Sequence, residues 1–245
     1  MNAFFTALSF LTRIPVPRGS HPGGWSRSVR YYPVVGLVIG GVLAGFDLAV
    51  ASWFPAGVRG VLLLGLWVWL TGGLHLDGWM DVADGFGSYR SRERTLEIMK
   101  DSRVGAMGVI AAILLLLLKA SVLASTPDPL WIPLLMAPMF GRWALLLAIR
   151  FFPYLTQDGI GKGLREGLTL ISLAGATLLT LLVAVGIAGF QGLWFFVIPL
   201  VWVLLWARLA WKRLGGWTGD LYGALVEATE AGILLLWLLL TGVSS

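Results

Sequence analysis

The stretch GAMGVIAAILLLLLKASVLAS, residues 105–125, decides the fold. It carries one charged side chain, Lys119, and its length matches the ~20 apolar residues that an α-helix needs to cross a bilayer. Six further segments read the same way, at roughly 33–54, 58–76, 130–150, 168–189, 193–211 and 222–242. The whole chain agrees: 58% of its 245 residues are hydrophobic and 13% charged, against about 25% charged in a soluble domain, and mean hydropathy is +0.83. Open strands leave backbone groups unpaired in lipid, and the alternation of a membrane barrel is missing. The expected fold is all-α: a polytopic integral membrane protein of about seven helices forming a single unit over 1–245. Residues 1–31 are its N-terminal interfacial segment, starting with a short helix that ends at Pro15 and Pro17.

Between these spans the charges sort by side. Fifteen of the 18 Lys and Arg fall before the first span or in the segments 77–104, 150–167 and 207–221. Only Arg59 falls opposite, and Lys119 and Arg142 lie within spans. The positive-inside rule then puts the N-terminus in the cytoplasm, and losing one span would break the alternation. Thirteen tryptophans suit two lipid–water interfaces. The net charge of +5 follows from the cytoplasmic arginines and calls for no nucleic-acid partner. With no cysteine, thiolate metal sites and cysteine nucleophiles are excluded.

The second span runs into TGGLHLDGWMDVADGFGS (71–88), the start of an acidic active-site segment over 77–104. Asp77, Asp81 and Asp84 are spaced i, i+4, i+7, one face of a helix. Like charges so close repel, and a shared divalent cation removes that cost; Mg²⁺ prefers carboxylate and phosphate oxygens. The plainer alternative is a solvated helix end. His75 lies two residues ahead of Asp77, either touching a substrate or sitting at the interface. The segment closes with RERTLEIMKDSRVGAMG (92–108). There Glu97 and Asp101 are four apart and expected on one face, and Asp101, Ser102 and Arg103 precede the third span; the Arg103 fork suits phosphate oxygens. Arg90, Arg92, Arg94 and Lys100 read as anchors to anionic lipid.

Charged groups also fall inside spans. Arg142 is mid-span and needs a buried partner. Lys119 is expected to snorkel to the interface. Glu227 and Glu230 share a face of the last span, behind Asp220, and either serve a site or pair with Arg142. The glycine-rich segment DGIGKGLREG (158–167) with Lys162 lacks the spacing of a P-loop.

Read in order, FLTRIPVP, YYPVVGLVIG, GGLHLDGWMDVADGFGS, IMKDSRVGAMG, GRWALLLAIRFFPY, GIGKG and LGGWTGDLYGALVEATE resemble the adenosylcobinamide-GDP ribazoletransferase (cobalamin synthase) family over about residues 10–231. The resemblance implies a Mg²⁺-dependent enzyme of a prokaryotic cytoplasmic (inner) membrane, its site facing the cytoplasm. It would join adenosylcobinamide-GDP to α-ribazole or its 5′-phosphate and release GMP. On that basis Asp77, Asp81 and Asp84 hold metal. Asp84, Asp101, Glu227 or Glu230 act in catalysis. His75, Ser102, Arg103, Arg142, Lys162 and Asp220 bind substrate or phosphate. Asp81–Gly85 also fits the DxxDG of CDP-alcohol phosphotransferases, although the rest of that pattern does not follow. An ion-coupled transporter is the rival from another class. Homo-oligomerisation stays open.

Overall fold

A computed structural model describes residues 2–17, 24–155, 159 and 161–242. Arg18 of the charge ladder, His21, and Asp158 and Ile160 of the glycine-rich loop lie outside the described residues. The elements in order are α1 (Ala3–Leu11), α2 (Gly24–Ser28), α3 (Tyr32–Val50), α4 (Ala56–Thr71), α5 (Leu74–Gly87), α6 (Arg92–Met99), α7 (Ala106–Ser125), α8 (Trp131–Phe151), α9 (Leu164–Gly167), α10 (Leu170–Ala188), α11 (Val197–Leu214) and α12 (Gly219–Gly242). Short 3₁₀ turns join α2 to α3 and α10 to α11.

Helix α8 is the hub. Its residues 133, 134 and 136–149 are all buried, including Arg142. Helix α3 lies antiparallel against it, and the contact is made through glycine. A Cβ on Gly36 would stand 2.5 Å from the carbonyl oxygen of Pro138, and one on Gly40 would stand 2.5 Å from that of Leu134. Small residues four apart let two backbones touch, which is how packing gains dispersion energy where lipid removes the hydrophobic drive. Helix α12 packs against α8, α5 and α7. The outer faces of α7, α10 and α11 expose Leu114, Leu117, Ile171, Leu178 and Leu204, the pattern of a surface solvated by lipid.

Five helical stretches among the described residues are long and apolar enough to cross a membrane: Gly24–Val50, Ala106–Ser125, Trp131–Phe151, Leu170–Leu214 and Gly219–Gly242. The bent pair Ala56–Thr71 with Leu74–Gly87 makes a sixth. The expected seven differs from this in two places. The 16-residue α4 is only about 24 Å long, short of a ~30 Å core on its own. The 45-residue stretch Leu170–Leu214 is broken at Gly189 (φ 57°), and a Cβ on Gly192 would strike the carbonyl oxygen of Ala184, so the chain doubles back there.

The end of α4 matters for the site. Gly72 (φ 68°) and Gly73 (φ 71°) are both left-handed, and α5 leaves at 92° to α4. The freed carbonyls are met locally: Gly72 and Gly73 donate to Trp69 and Val68, and the N–H of Arg13, just past α1, donates to Leu70 at 2.8 Å. The short N-terminal helix is present as α1, but it stops at Leu11, before the expected end at Pro15 and Pro17. On the far side Arg59 is held between Asp47 (2.9 Å) and Asp128 (2.5 Å), tying α4 to α3 and to the turn before α8.

Gly40→Ala is expected to destabilise the purified protein by about 1–3 kcal/mol through overpacking against α8. Gly41→Ala, where a Cβ meets nothing within 4 Å, should stay within about 0.5 kcal/mol of wild type. Thermal unfolding of the two in one detergent decides it.

Candidate active site

Helix α5 is wedged between α7 and α12, and glycine sets its distance to α12. A Cβ on Gly78 would lie 2.7 Å from the carbonyl oxygen of Asp220, and one on Gly223 would lie 2.9 Å from that of His75. The close fit brings Asp77 on α5 and Asp220 in the first turn of α12 to one cavity, of about 140 Å³. Phe10, Tyr32, Leu145, Ile149 and Tyr222 form much of its wall, and His75 lines it too. Asp81 lies one turn along from Asp77, within electrostatic reach of Asp77, Asp220 and Asp84. The predicted acidic face therefore exists, and it gains Asp220 from the other end of the chain.

Asp84 has a different neighbour. Its two carboxylate oxygens accept the backbone N–H groups of Gly105 and Gly108, both at 2.7 Å. Gly105 caps α7 without a side chain of its own, so Asp84 supplies the cap from α5 and sets a negative charge at the positive end of α7. A Cβ at either glycine would enter the carboxylate, which is why the motif reads VGAMG. Both oxygens of the third aspartate are thus engaged in holding α7 to α5.

Below the cavity lies a closed network of charges. Lys119 Nζ donates to Glu227 (2.5 Å) and Glu230 (2.7 Å), and Arg142 donates to the other oxygen of Glu230. Arg142 also approaches His75 Nδ1 at 3.3 Å. A guanidinium only donates, so Nδ1 accepts and the ring carries its proton on Nε2. Two cations face two carboxylates, and Lys119 also sits 4.9 Å over the Trp67 ring. The pairing expected as the alternative for Arg142 is present, whereas snorkelling of Lys119 is not: its side chain is 3% exposed, because two carboxylates of α12 compensate its charge inside. Glu227 and Glu230 spend their charges on Lys119 and Arg142 within the bundle.

The segment ahead of α7 faces outward. Asp101 accepts from the backbone and guanidinium of Arg103, with Nη2 at 2.6 Å, and that contact lowers its carboxyl to about 2. Ser102 and Arg103 are exposed. Helix α6 ends at Met99, so Glu97 and Asp101 do not share a helical face; Glu97 instead pairs with Arg94 at 2.8 Å. Arg92, expected at lipid, donates to the carbonyl of Leu214 at 2.6 Å and finishes α11, whose end it suits electrostatically. Lys162 offers its carbonyl to the Trp25 indole at 3.1 Å, beside Gly161 in the cavity wall.

No charge or glycine spacing marks the aromatic wall of Phe10, Tyr32 and Tyr222. Tyr222 is held rigid by stacking on Tyr154 (5.8 Å, 5°) and Trp217 (5.4 Å, 24°). The repeated aromatics of YYP and GWTGDLYG were the available signal, but only folding shows that they meet.

The donor chemistry at Asp77, Asp81 and Asp220 fits Mg²⁺: hard carboxylate oxygens that repel one another, with Lys100 in electrostatic reach of Asp220. Among the described residues there is no ready-made cage of three or more His, Cys, Asp or Glu side chains. This suits an ion that takes one or two carboxylates from the protein and the rest of its shell from water and phosphate.

Fold and site together define a polytopic helical membrane protein with an acid-rimmed, aromatic-walled cavity at one end of the bundle. The family described as Cobalamin-5-phosphate synthase matches residues 3–238. A Brevibacillus brevis protein named adenosylcobinamide-GDP ribazoletransferase is 48% identical over 239 residues, covering 96% of this chain and 97% of the relative. Proteins of that name from Desulfitobacterium hafniense (41% identical, 96% of each chain) and Roseiflexus sp. (43% identical, 91% of this chain and 84% of the relative) agree. No solved structure matches. The chain belongs to the cobalamin-5-phosphate synthase family. The CDP-alcohol phosphotransferase and transporter readings find no support in these relatives.

Lys119→Met leaves the two glutamates short of a cation and should cost about 3–5 kcal/mol. Adding Glu227→Gln restores the charge balance and should recover a large part of that loss. A thermal-unfolding double-mutant cycle over these two positions measures it.

Proposed function

We propose that the protein transfers the adenosylcobinamide-phosphate moiety of adenosylcobinamide-GDP to α-ribazole or its 5′-phosphate, releasing GMP. The observation that carries this reading is the meeting of Asp77 and Asp220 at a cavity, with Asp81 within their electrostatic reach, in a chain whose relatives bear that activity in their names. A ribazole hydroxyl forms a bond to the phosphorus bearing the cobinamide arm, and the bond from that phosphorus to the oxygen bridging to GMP breaks. Asp220 takes the hydroxyl proton. Asp77 and Asp81 hold Mg²⁺, which when bound neutralises charge on the pyrophosphate and its leaving group. Asp84 acts through the backbone, keeping α5 and its aspartates fixed against α7. The Lys119–Glu230–Arg142–His75 chain fixes the other end of α5.

The reaction faces the cytoplasm of a prokaryotic inner membrane in this reading, supported by the concentration of arginines beside the acidic segment. Because the chain has no cysteine, Tyr89→Cys, in the exposed turn after α5, gives a single reporter. An impermeant maleimide should label it in inverted inner-membrane vesicles and not in intact spheroplasts.

Asp81→Asn should lower GMP release from adenosylcobinamide-GDP by at least about a hundredfold with the unfolding midpoint little changed. Chelation by EDTA should abolish turnover of the wild type and added Mg²⁺ restore it. Near-normal activity of Asp81→Asn would overturn the assignment.

A further inference from the structure

The cavity beside Asp77 and Asp220 is too small for a corrinoid or a whole nucleotide. At about 140 Å³ it compares with the ~150 Å³ engineered cavity that takes one benzene. We infer that it is the seat of the acceptor's base: a neutral, fused-ring nitrogen heterocycle enters it, leaving its ribose at the acidic mouth. This rests on the function proposed above and assigns one substrate to one place.

Three observations converge on that occupant. The first is shape. Phe10 and Tyr32 stand on one side, their centroids 6.2 Å apart, and the immobilised Tyr222 is another wall, with Leu145 and Ile149 from α8 between them. Aromatic and branched apolar walls favour a flat apolar ring. The second is charge. Among the described residues, the charged side chains lining the cavity are Asp77 and Asp220, which disfavour a phosphate in its interior and leave an uncharged base unopposed.

The third is a single directed donor. His75 is 5% exposed and lines the cavity, while its Nδ1 is occupied by Arg142. The ring therefore offers one N–H, at Nε2, and no acceptor. A benzimidazole nucleoside carries one unsubstituted ring nitrogen, an acceptor, and no N–H donor. Guanine, the base of the donor substrate, presents several donors and acceptors, and its O6 and N7 acceptors together outnumber the one N–H that His75 offers. The geometry thus selects the acceptor's base over the donor's. It also puts the ribose hydroxyls beside Asp220, where the proton is to be lost.

Ile149→Phe fills the cavity from α8 without touching an acid. In protein reconstituted in nanodiscs it should raise KM for α-ribazole at least tenfold and leave KM for adenosylcobinamide-GDP within twofold. Leu145→Ala enlarges the same space and should narrow the preference for α-ribazole over its bulkier naphthimidazole analogue. Titration calorimetry with α-ribazole alone should follow the same order. A rise in KM for the donor with ribazole unaffected would place guanine there and overturn the inference. So would unchanged ribazole affinity and unchanged preference in Leu145→Ala, even if Ile149→Phe fails to fold. Absence of turnover in the wild type with both substrates would instead remove the proposed function, leaving calorimetric binding of ribazole to be judged by itself.

Discussion

Four helices of this bundle are joined by charges that cannot be left alone in lipid. Lys119 comes from α7, Arg142 from α8, Glu227 and Glu230 from α12, and His75 from α5. Each is desolvated, and each would be costly without its partners. The set closes with equal numbers of cations and carboxylates, so it is neutral only when α7, α8 and α12 are present in register, and His75 hangs α5 on it. Everything functional hangs from that register. It sets where α5 begins, and α5 carries the aspartates.

The other end of α5 is fixed by a weaker device of the same kind. Asp84 turns a potential third metal ligand into a helix cap, and so converts repulsion among the aspartates into an attachment to α7. Between these two anchors α5 presents Asp77 and Asp81 toward Asp220 across glycine contacts. The arrangement is stiff because backbone touches backbone at Gly78 and Gly223. Preorganisation of this sort lets a site meet developing charge without having to move.

Much of this was legible in the residues alone, and the parts that were not share a cause. Helix positions follow from apolar length, so the predicted stretches correspond closely to α3, α4, α7, α8, α10, α11 and α12. The helical spacing of the aspartates, and Arg142 with Glu230 as partners, were also readable, because a mid-span charge has few ways to be satisfied. Lys119 was misread as snorkelling since its distance from a span end is visible and its partners, more than a hundred residues away, are not. Asp84 looked equivalent to Asp77 and Asp81 until α7 was folded against it. Arg92 looked like a lipid anchor until α11 ended beside it. The aromatic wall needs α1, α3 and α12 at once, and no window on the chain contains them all. The number of crossings depends on how the short α4 and the doubled-back 170–214 stretch are treated, which is a question of three-dimensional path.

The break at Gly72–Gly73 has a consequence for how the protein is made. Helix α4 is too short to bridge the bilayer unaided, and its ragged lower end is finished by the N–H of Arg13, from a segment threaded long before it. Its upper half leans on α7, where Gly60 abuts Ala120 and Trp67 lies beneath Lys119. On leaving the ribosome such a helix finds its first support ready and its second not yet synthesised. Biogenesis must therefore hold α4 and α5 in a provisional position, sheltered by the insertion machinery, until the later helices arrive. The aspartates of α5 take their place against Asp220 only once α12, the last helix, has been made.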